Sequence, residues 1–198
     1  MVTMSNTLSV GRPPSTTHGQ LDRVILDLFT ERGFEKTSVA DIATEAGISR
    51  RTFFRYFTSK ADAVWGEFDA GLANFRHELA TVPDDVPLMT ALREAVVRFN
   101  TFPQEEAARH RQRMRLILRE PALLAHSTLR YAQWREVVQE FVAYRRGLSP
   151  DDLLPRTIGH FALGASMAAY EEWLRHADSP LEPYIHASFE VLAGAVSL

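Results

Sequence analysis

The chain has 198 residues, 45% of them hydrophobic, 24% charged and none cysteine, with a formal net charge of −3. That length buries a good core, and the lack of cysteine excludes disulfides, thiol chemistry and thiolate metal sites. No apolar run approaches the roughly 20 residues that span a bilayer, and the N-terminus lacks the charged-then-apolar secretory pattern, so the expectation is a cytoplasmic protein with no membrane association. The charge is uneven. Residues 1–60 carry +2 and residues 61–198 carry −5, the sign that a nucleic-acid-facing N-terminal segment needs.

In chain order, residues 1–16 hold Ser, Thr and the pair Pro13-Pro14 and read as a flexible arm whose Arg12 could reach toward phosphate. From Thr17 onward, Leu21, Val24, Ile25, Leu28 and Phe29 fall at amphipathic-helix spacing, and Gly33 ends the run. Ser38 opens a second helix with Asp41 as the acidic partner of a capping box. Val39, Ile42, Ala43 and Ala46 are its inward residues; Gly47 makes the turn, and Ile48 plugs the core beneath it. Ser49 caps a third helix that carries Phe53, Phe54 and Phe57. Ser59 and Asp62 repeat the capping pattern and are expected to launch a long fourth helix toward Val82. Prolines then mark helix starts, predicting helices near 88–101, 104–119, 122–146, 151–177 and 181–196. No segment alternates as a strand. The expected fold is all-α with about nine helices, a helix-turn-helix unit over 17–60 and a helical effector-binding and dimerisation bundle over 61–198.

The stretch from Thr37 to Lys60 carries the functional signal. Major-groove readout needs a helix whose first turns are rich in donors and free of bulk. Arg50 and Arg51 supply guanidinium forks suited to guanine edges or phosphates, and Thr52 adds a short hydroxyl. Arg55 and Tyr56, a turn further on, and Lys60, at the start of the next helix, are placed for flanking phosphates.

Thr37-Ser38, Ile42-Ala43, Ala46-Gly47-Ile48-Ser49, Thr52-Phe53-Phe54, Tyr56-Phe57 and Ser59-Lys60 together resemble the DNA-binding signature of the TetR family of repressors. The resemblance implies a three-helix DNA-binding domain, a variable helical domain for a small effector, and dimerisation through the last two helices. It places Arg50, Arg51, Thr52, Tyr56 and Lys60 at DNA-contacting positions; Thr37, Ser38, Ser49 and Arg55 complete the expected set. Phe54 departs from the family, which commonly has a tyrosine there with its hydroxyl on a phosphate. Gly11-Arg12-Pro13-Pro14, the run Arg50 to Phe57, Val64 to Asp69 and Ala125 to Tyr131 are similar to the subgroup that accompanies mycofactocin biosynthesis genes. That closer resemblance implies control of a redox-cofactor gene cluster and a long-chain acyl-CoA effector.

Helix spacing and aromatic content nominate an effector wall of Trp65, Phe68, Leu72, Phe75, Phe99, Met114, Leu118, Trp134, Val138 and Phe161. In the basic run Arg109 to Arg115, Arg111 and Arg115 share one helix face and are nominated for a phosphate-bearing ligand. Small residues that allow close helix approach nominate Gly164, Ala165, Ala168 and Ala193 as a dimer interface, with Phe189 and Leu192 as anchors. The expected partners are a palindromic double-stranded DNA operator, a second copy of the chain and a hydrophobic small molecule. No HExxH-type spacing or phosphate-cradling glycine loop appears, so neither an enzyme, a metal nor a catalytic cofactor is expected. The competing readings are a non-specific architectural DNA binder, and a helical carrier or enzyme for a lipid-like thioester whose N-terminal motif is incidental.

Overall fold

The computed structural model describes residues 18–195, apart from the side chains of Gln104, Leu192 and Ala195. The expected arm over 1–16, Arg12 included, and the side chain of Leu192 lie outside the described residues. The helices are α1 (His18–Arg32), α2 (Val39–Glu45), α3 (Arg50–Tyr56), α4 (Phe68–Ala80), α5 (Leu88–Phe99), α6 (Gln104–Arg119), α7 (Pro121–Arg146), α8 (Leu153–Trp173) and α9 (Glu182–Ala195). Among the described residues there is no strand, and no helix is long and apolar enough to cross a membrane.

The first three helices form a small unit because each contributes one apolar face. Leu21, Ile25, Phe29, Ile42 and Phe53 are all fully buried or nearly so. The capping box at α2 is complete: Ser38 Oγ accepts from the Asp41 amide at 3.1 Å, and Asp41 Oδ2 accepts from the Ser38 amide at 2.8 Å. Gly47 turns the chain between α2 and α3 at φ 65°, a conformation that a side chain bearing Cβ strains to adopt.

One expected element is different. The long fourth helix is broken into a single 3-10 turn, Asp62–Trp65, followed by Gly66 at φ 57° and then α4. The capping pattern is present, since Ser59 Oγ accepts from the Asp62 amide at 2.9 Å and Asp62 Oδ2 accepts from the Thr58 amide at 3.0 Å. The break follows at Gly66, where the left-handed backbone ends the turn. A Cβ on Gly66 would lie 2.7 Å from Arg113 Nη1, so the guanidinium of a distant helix lies against this backbone.

The remaining helices pack as a bundle whose longest member, α7, runs against α4, α6 and α8. Trp134 of α7 stacks on Phe75 of α4 with centroids 5.4 Å apart. Gly159 of α8 sits against α7, where a Cβ would come within 3.1 Å of Gln139 Cγ. Its smallness therefore serves packing within one chain, as do the buried Ala162, Ser166 and Ala169. Residues of α6 tie the N-terminal unit to the bundle. Gln112 of α6 donates to Leu26 O and Thr30 Oγ1 of α1 at 3.1 and 2.7 Å, and Arg113 pairs with Asp22 of α1.

Candidate DNA-reading helix and effector cavity

Ser49 caps α3 by accepting from the Thr52 amide at 3.0 Å, and its hydroxyl also lies 2.9 Å from Thr52 Oγ1. The cap orients the first turn so that Arg50 and Arg51 are exposed; among the described residues neither makes a hydrogen bond or ion pair. Phe53 anchors the helix from below at 0% exposure while Phe54 is 50% exposed, so the two rings stand at right angles, one inward and one outward. Arg55 lies over the Tyr56 ring. Ser38 is exposed and shares its hydroxyl proton with Asp41, whose carboxyl that hydrogen bonding holds below the usual carboxylate range.

Two nominated residues are otherwise engaged. Thr37 is 1% exposed, and its hydroxyl donates to Gly33 O at 2.8 Å. It closes the end of α1 and does not lie on the surface, because the turn after Gly33 folds it under the helix. Lys60 directs its ammonium to Phe34 O at 2.7 Å and over the Phe34 ring at 4.1 Å, pinning the loop after α1.

The second feature is a cavity of about 460 Å³ enclosed by α1, α4, α5, α6, α7 and α8. Of the nominated wall, Trp65, Phe68, Phe99, Met114 and Trp134 line it. Leu72, Phe75 and Val138 are buried behind those residues in the core, and Leu118 packs against the core without lining the cavity. Phe161 lies on the outward side of α8, 49% exposed. Arg111 is not a cavity residue: it donates to Trp173 O at 2.8 Å and Ser179 O at 3.0 Å and stacks on the Trp173 ring. Arg115 is exposed away from the cavity. The arginines that reach the cavity are Arg109 and Arg113, the other pair in the same run.

Sequence reasoning missed the polar floor of the cavity. Asn100 Nδ2 donates to Val96 O at 2.7 Å, which points Asn100 Oδ1 toward Tyr170; Tyr170 Oη donates to that oxygen. With its one proton committed, Tyr170 Oη accepts from His110, whose Nε2 lies 2.8 Å away, fixing the Nε2–H tautomer. Burial, reinforced by the Arg113 and Arg111 charges, lowers the His110 pKa from 6.5 to about 3, so the ring is neutral. Burial also pushes the Tyr170 hydroxyl far up. Phe102 stacks on His110 at 4.0 Å and covers it from the α5–α6 loop. These partners come from the segment between α5 and α6, from α6 and from α8, so no local pattern signalled them.

The nominated dimer residues divide. Gly164, Ala168 and Ala193 are exposed, Ala165 is half-buried, and Phe161 of α8 and Val191 of α9 are exposed as well. Phe189 is 2% exposed and packs inward, so it anchors α9 within its own chain. Among the described residues no group of three potential metal ligands converges; Glu172 and His176, 3.0 Å apart, make an exposed i, i+4 pair.

A capped helix with two unengaged guanidinium groups, mounted on a helical bundle, defines a helix-turn-helix regulator. The comparisons give the family. Residues 23–63 match the bacterial regulatory proteins of the TetR family, and residues 86–197 match the MftR C-terminal domain. The chain belongs to the TetR family of transcriptional regulators and carries an MftR-type C-terminal domain. It is 43% identical, over 94% of each chain, to MftR of Mycobacterium tuberculosis (strain ATCC 25618 / H37Rv), a proposed mycofactocin biosynthesis transcriptional regulator. In structure it is similar to the fatty acid degradation regulator FadR from Bacillus halodurans (TM-score 0.65, 17% identity, 90% of this chain and 98% of that one). It is also similar to FadR from Bacillus subtilis, solved in complex with stearoyl-CoA (TM-score 0.60, 15% identity, 89% and 97%).

Proposed function

We propose that the chain is a homodimeric repressor of mycofactocin-related genes, with residues 17–60 as its DNA-binding domain and residues 61–198 binding a long-chain acyl-CoA effector and the partner subunit. The observation that carries this reading is α3, a capped helix with Arg50 and Arg51 exposed and unengaged, joined through α1 to a bundle with an apolar cavity. Each subunit places α3 in a major groove of a palindromic operator, with Ser49, Thr52, Arg55 and Tyr56 at the backbone or base edges and Ser38 flanking them. The outward strip Gly164, Ala168 and Ala193 admits close approach of a second copy. The apolar cavity walls suit an acyl chain, and the likeness to MftR and to a FadR bound to stearoyl-CoA supports both regulon and effector class. The ligand acts by preferring one separation of the two reading heads over the other.

The test is a mobility shift on DNA upstream of the protein's own gene, with and without oleoyl-CoA. A sequence-specific shift that oleoyl-CoA dissolves is expected. Arg50→Ala with Arg51→Ala should weaken it by about 30-fold or more, at about 1–3 kcal/mol per lost bidentate contact. An unchanged affinity in that double variant overturns the reading-helix assignment. No specific shift in the wild type favours the carrier reading.

A further inference from the structure

The geometry points to an anion subsite at Arg109 and Arg113, where the charged end of a cavity ligand takes Arg113 away from Asp22 and so uncouples α6 from the DNA-reading unit. This inference rests on the regulator reading above and specifies how its cavity is regulated. Arg113 belongs to two places at once. It lines the cavity, and its Nη2 donates to both oxygens of Asp22 on α1 at 2.5 and 2.6 Å. Its guanidinium also lies on the backbone of Gly66, the break between the N-terminal unit and α4. Whatever moves this one side chain therefore acts on α1 and on the break together.

Among the described residues the wall carries three carboxylates (Asp22, Glu67 and Glu106) and two guanidinium groups, but only Asp22 pairs with an arginine. Arg109 also lines the cavity and acts on Asp22, yet among the described residues it makes no ion pair or hydrogen bond. Two guanidinium groups thus share one carboxylate. Of the other acids on the wall, Glu67 lies 3.6 Å from His18, and Glu106 is exposed at the rim. Arg113 Nε is buried without an acceptor, so the arginine has bonding capacity that Asp22 leaves unused. Asp22 holds its charge poorly, since burial pushes its carboxyl above the usual range in spite of Arg113 beside it. An incoming carboxylate or phosphate offers the two arginines a better-solvated acceptor, and its apolar chain then fills the cavity against Trp65, Phe68 and Trp134.

The experiment compares oleoyl-CoA, oleate and the uncharged methyl oleate. Binding is followed by the fluorescence of the wall tryptophans, and operator affinity is measured with and without each lipid. In the wild type the charged lipids are expected to change operator affinity by about 5- to 150-fold, and methyl oleate to leave it unchanged. Oleate active alongside oleoyl-CoA shows that the subsite takes a carboxylate as well as a phosphate; activity of oleoyl-CoA alone assigns it to phosphate. In Asp22→Asn the charged lipid no longer competes, so it should bind more tightly than in the wild type while its effect on operator affinity falls below about threefold. A merely structural Asp22 would not raise lipid affinity. Arg109→Gln should weaken oleate binding about tenfold and leave methyl oleate binding unchanged, a comparison that stands even if the Asp22 variant fails to fold. Methyl oleate acting as strongly as oleate, or Asp22→Asn keeping the wild-type response, overturns the inference and leaves the regulator reading intact. An operator shift indifferent to all three lipids overturns the inference together with the acyl effector, and absence of a shift overturns the regulator reading itself.

Discussion

His110 shows how a single residue ties the cavity to stability. Its Nε2–H, the Tyr170 hydroxyl and Asn100 Oδ1 form one directed relay, with each donor committed to the next acceptor. A charged His110 would reverse no bond but would bring a cation into an apolar site beside Arg113 and Arg111. Folding lowers the pKa from 6.5 to about 3, so between those values the unfolded chain binds a proton that the folded chain refuses. The stabilisation is fully present above pH 6.5 and is lost as the pH falls toward 3, at up to about 1.4 kcal/mol per pH unit. Urea midpoints of the wild type and His110→Gln at pH 7.5 and pH 5 check this. The wild type should lose more stability on acidification than the variant, whose glutamine amide can donate to Tyr170 without titrating. Equal losses would show that His110 is not held neutral. The relay was invisible in the sequence because Asn100 follows the end of α5 while His110 and Tyr170 lie on α6 and α8, at separations that no helical period links.

At the scale of the element, α3 is seven residues long, too short to persist on propensity alone. Its order depends on the Ser49 cap at one end and the buried Phe53 and Phe57 rings on its underside. Ser49→Ala removes the acceptor for the Thr52 amide and should cost about 1 kcal/mol, read as a lowered thermal midpoint. Operator affinity should fall as well, with no change in lipid binding at the distant cavity. A variant that keeps both stability and operator affinity would show that packing alone orders the helix. The caps at Ser38 and Ser49, the turn at Gly47 and the phenylalanine-rich third helix were legible in sequence because each rests on neighbours three or four residues apart, although Phe57 proves to be the extended residue that ends that helix. Gly66 was not, since the expected long helix ran through it. A lone glycine inside a helical pattern is often tolerated; here it is a break at φ 57°, and the missing Cβ leaves room for a guanidinium from α6 on its backbone.

At the scale of the whole molecule, the outward strip of α8 and α9 is the proposed site of assembly. Ala168→Arg places a long cation where a second copy is proposed to approach. Sedimentation should then show a monomer in place of a dimer, and operator affinity should drop by orders of magnitude as binding falls back to single half-sites. A dimeric variant with full affinity would place the interface elsewhere. The strip is chemically mixed, since the small Gly164 and Ala168 stand beside exposed Phe161 on α8 while the equally apolar Phe189 of α9 faces inward at 2% exposure. Periodicity marked both groups as helical but not which side met the chain's own core, because both flanks of a long buried helix are apolar.

The sequence by itself determined the helices of the N-terminal unit, their caps, the exposed basic turn of α3 and the all-helical bundle, because these depend on residues a turn apart. Tertiary structure alone decided the cavity and its charges. In α6, His110, Met114 and Ile117 form the inward stripe, and at about 100° per residue Arg111 and Arg113 fall on opposite flanks of it. Nothing local distinguishes the two. Arg111 meets the end of α8 and becomes a packing residue, whereas Arg113 meets α1 and the cavity, because the neighbouring helices stand on those sides. The position of a charge relative to helices far away in the chain is set by long-range packing, which a one-turn pattern does not contain.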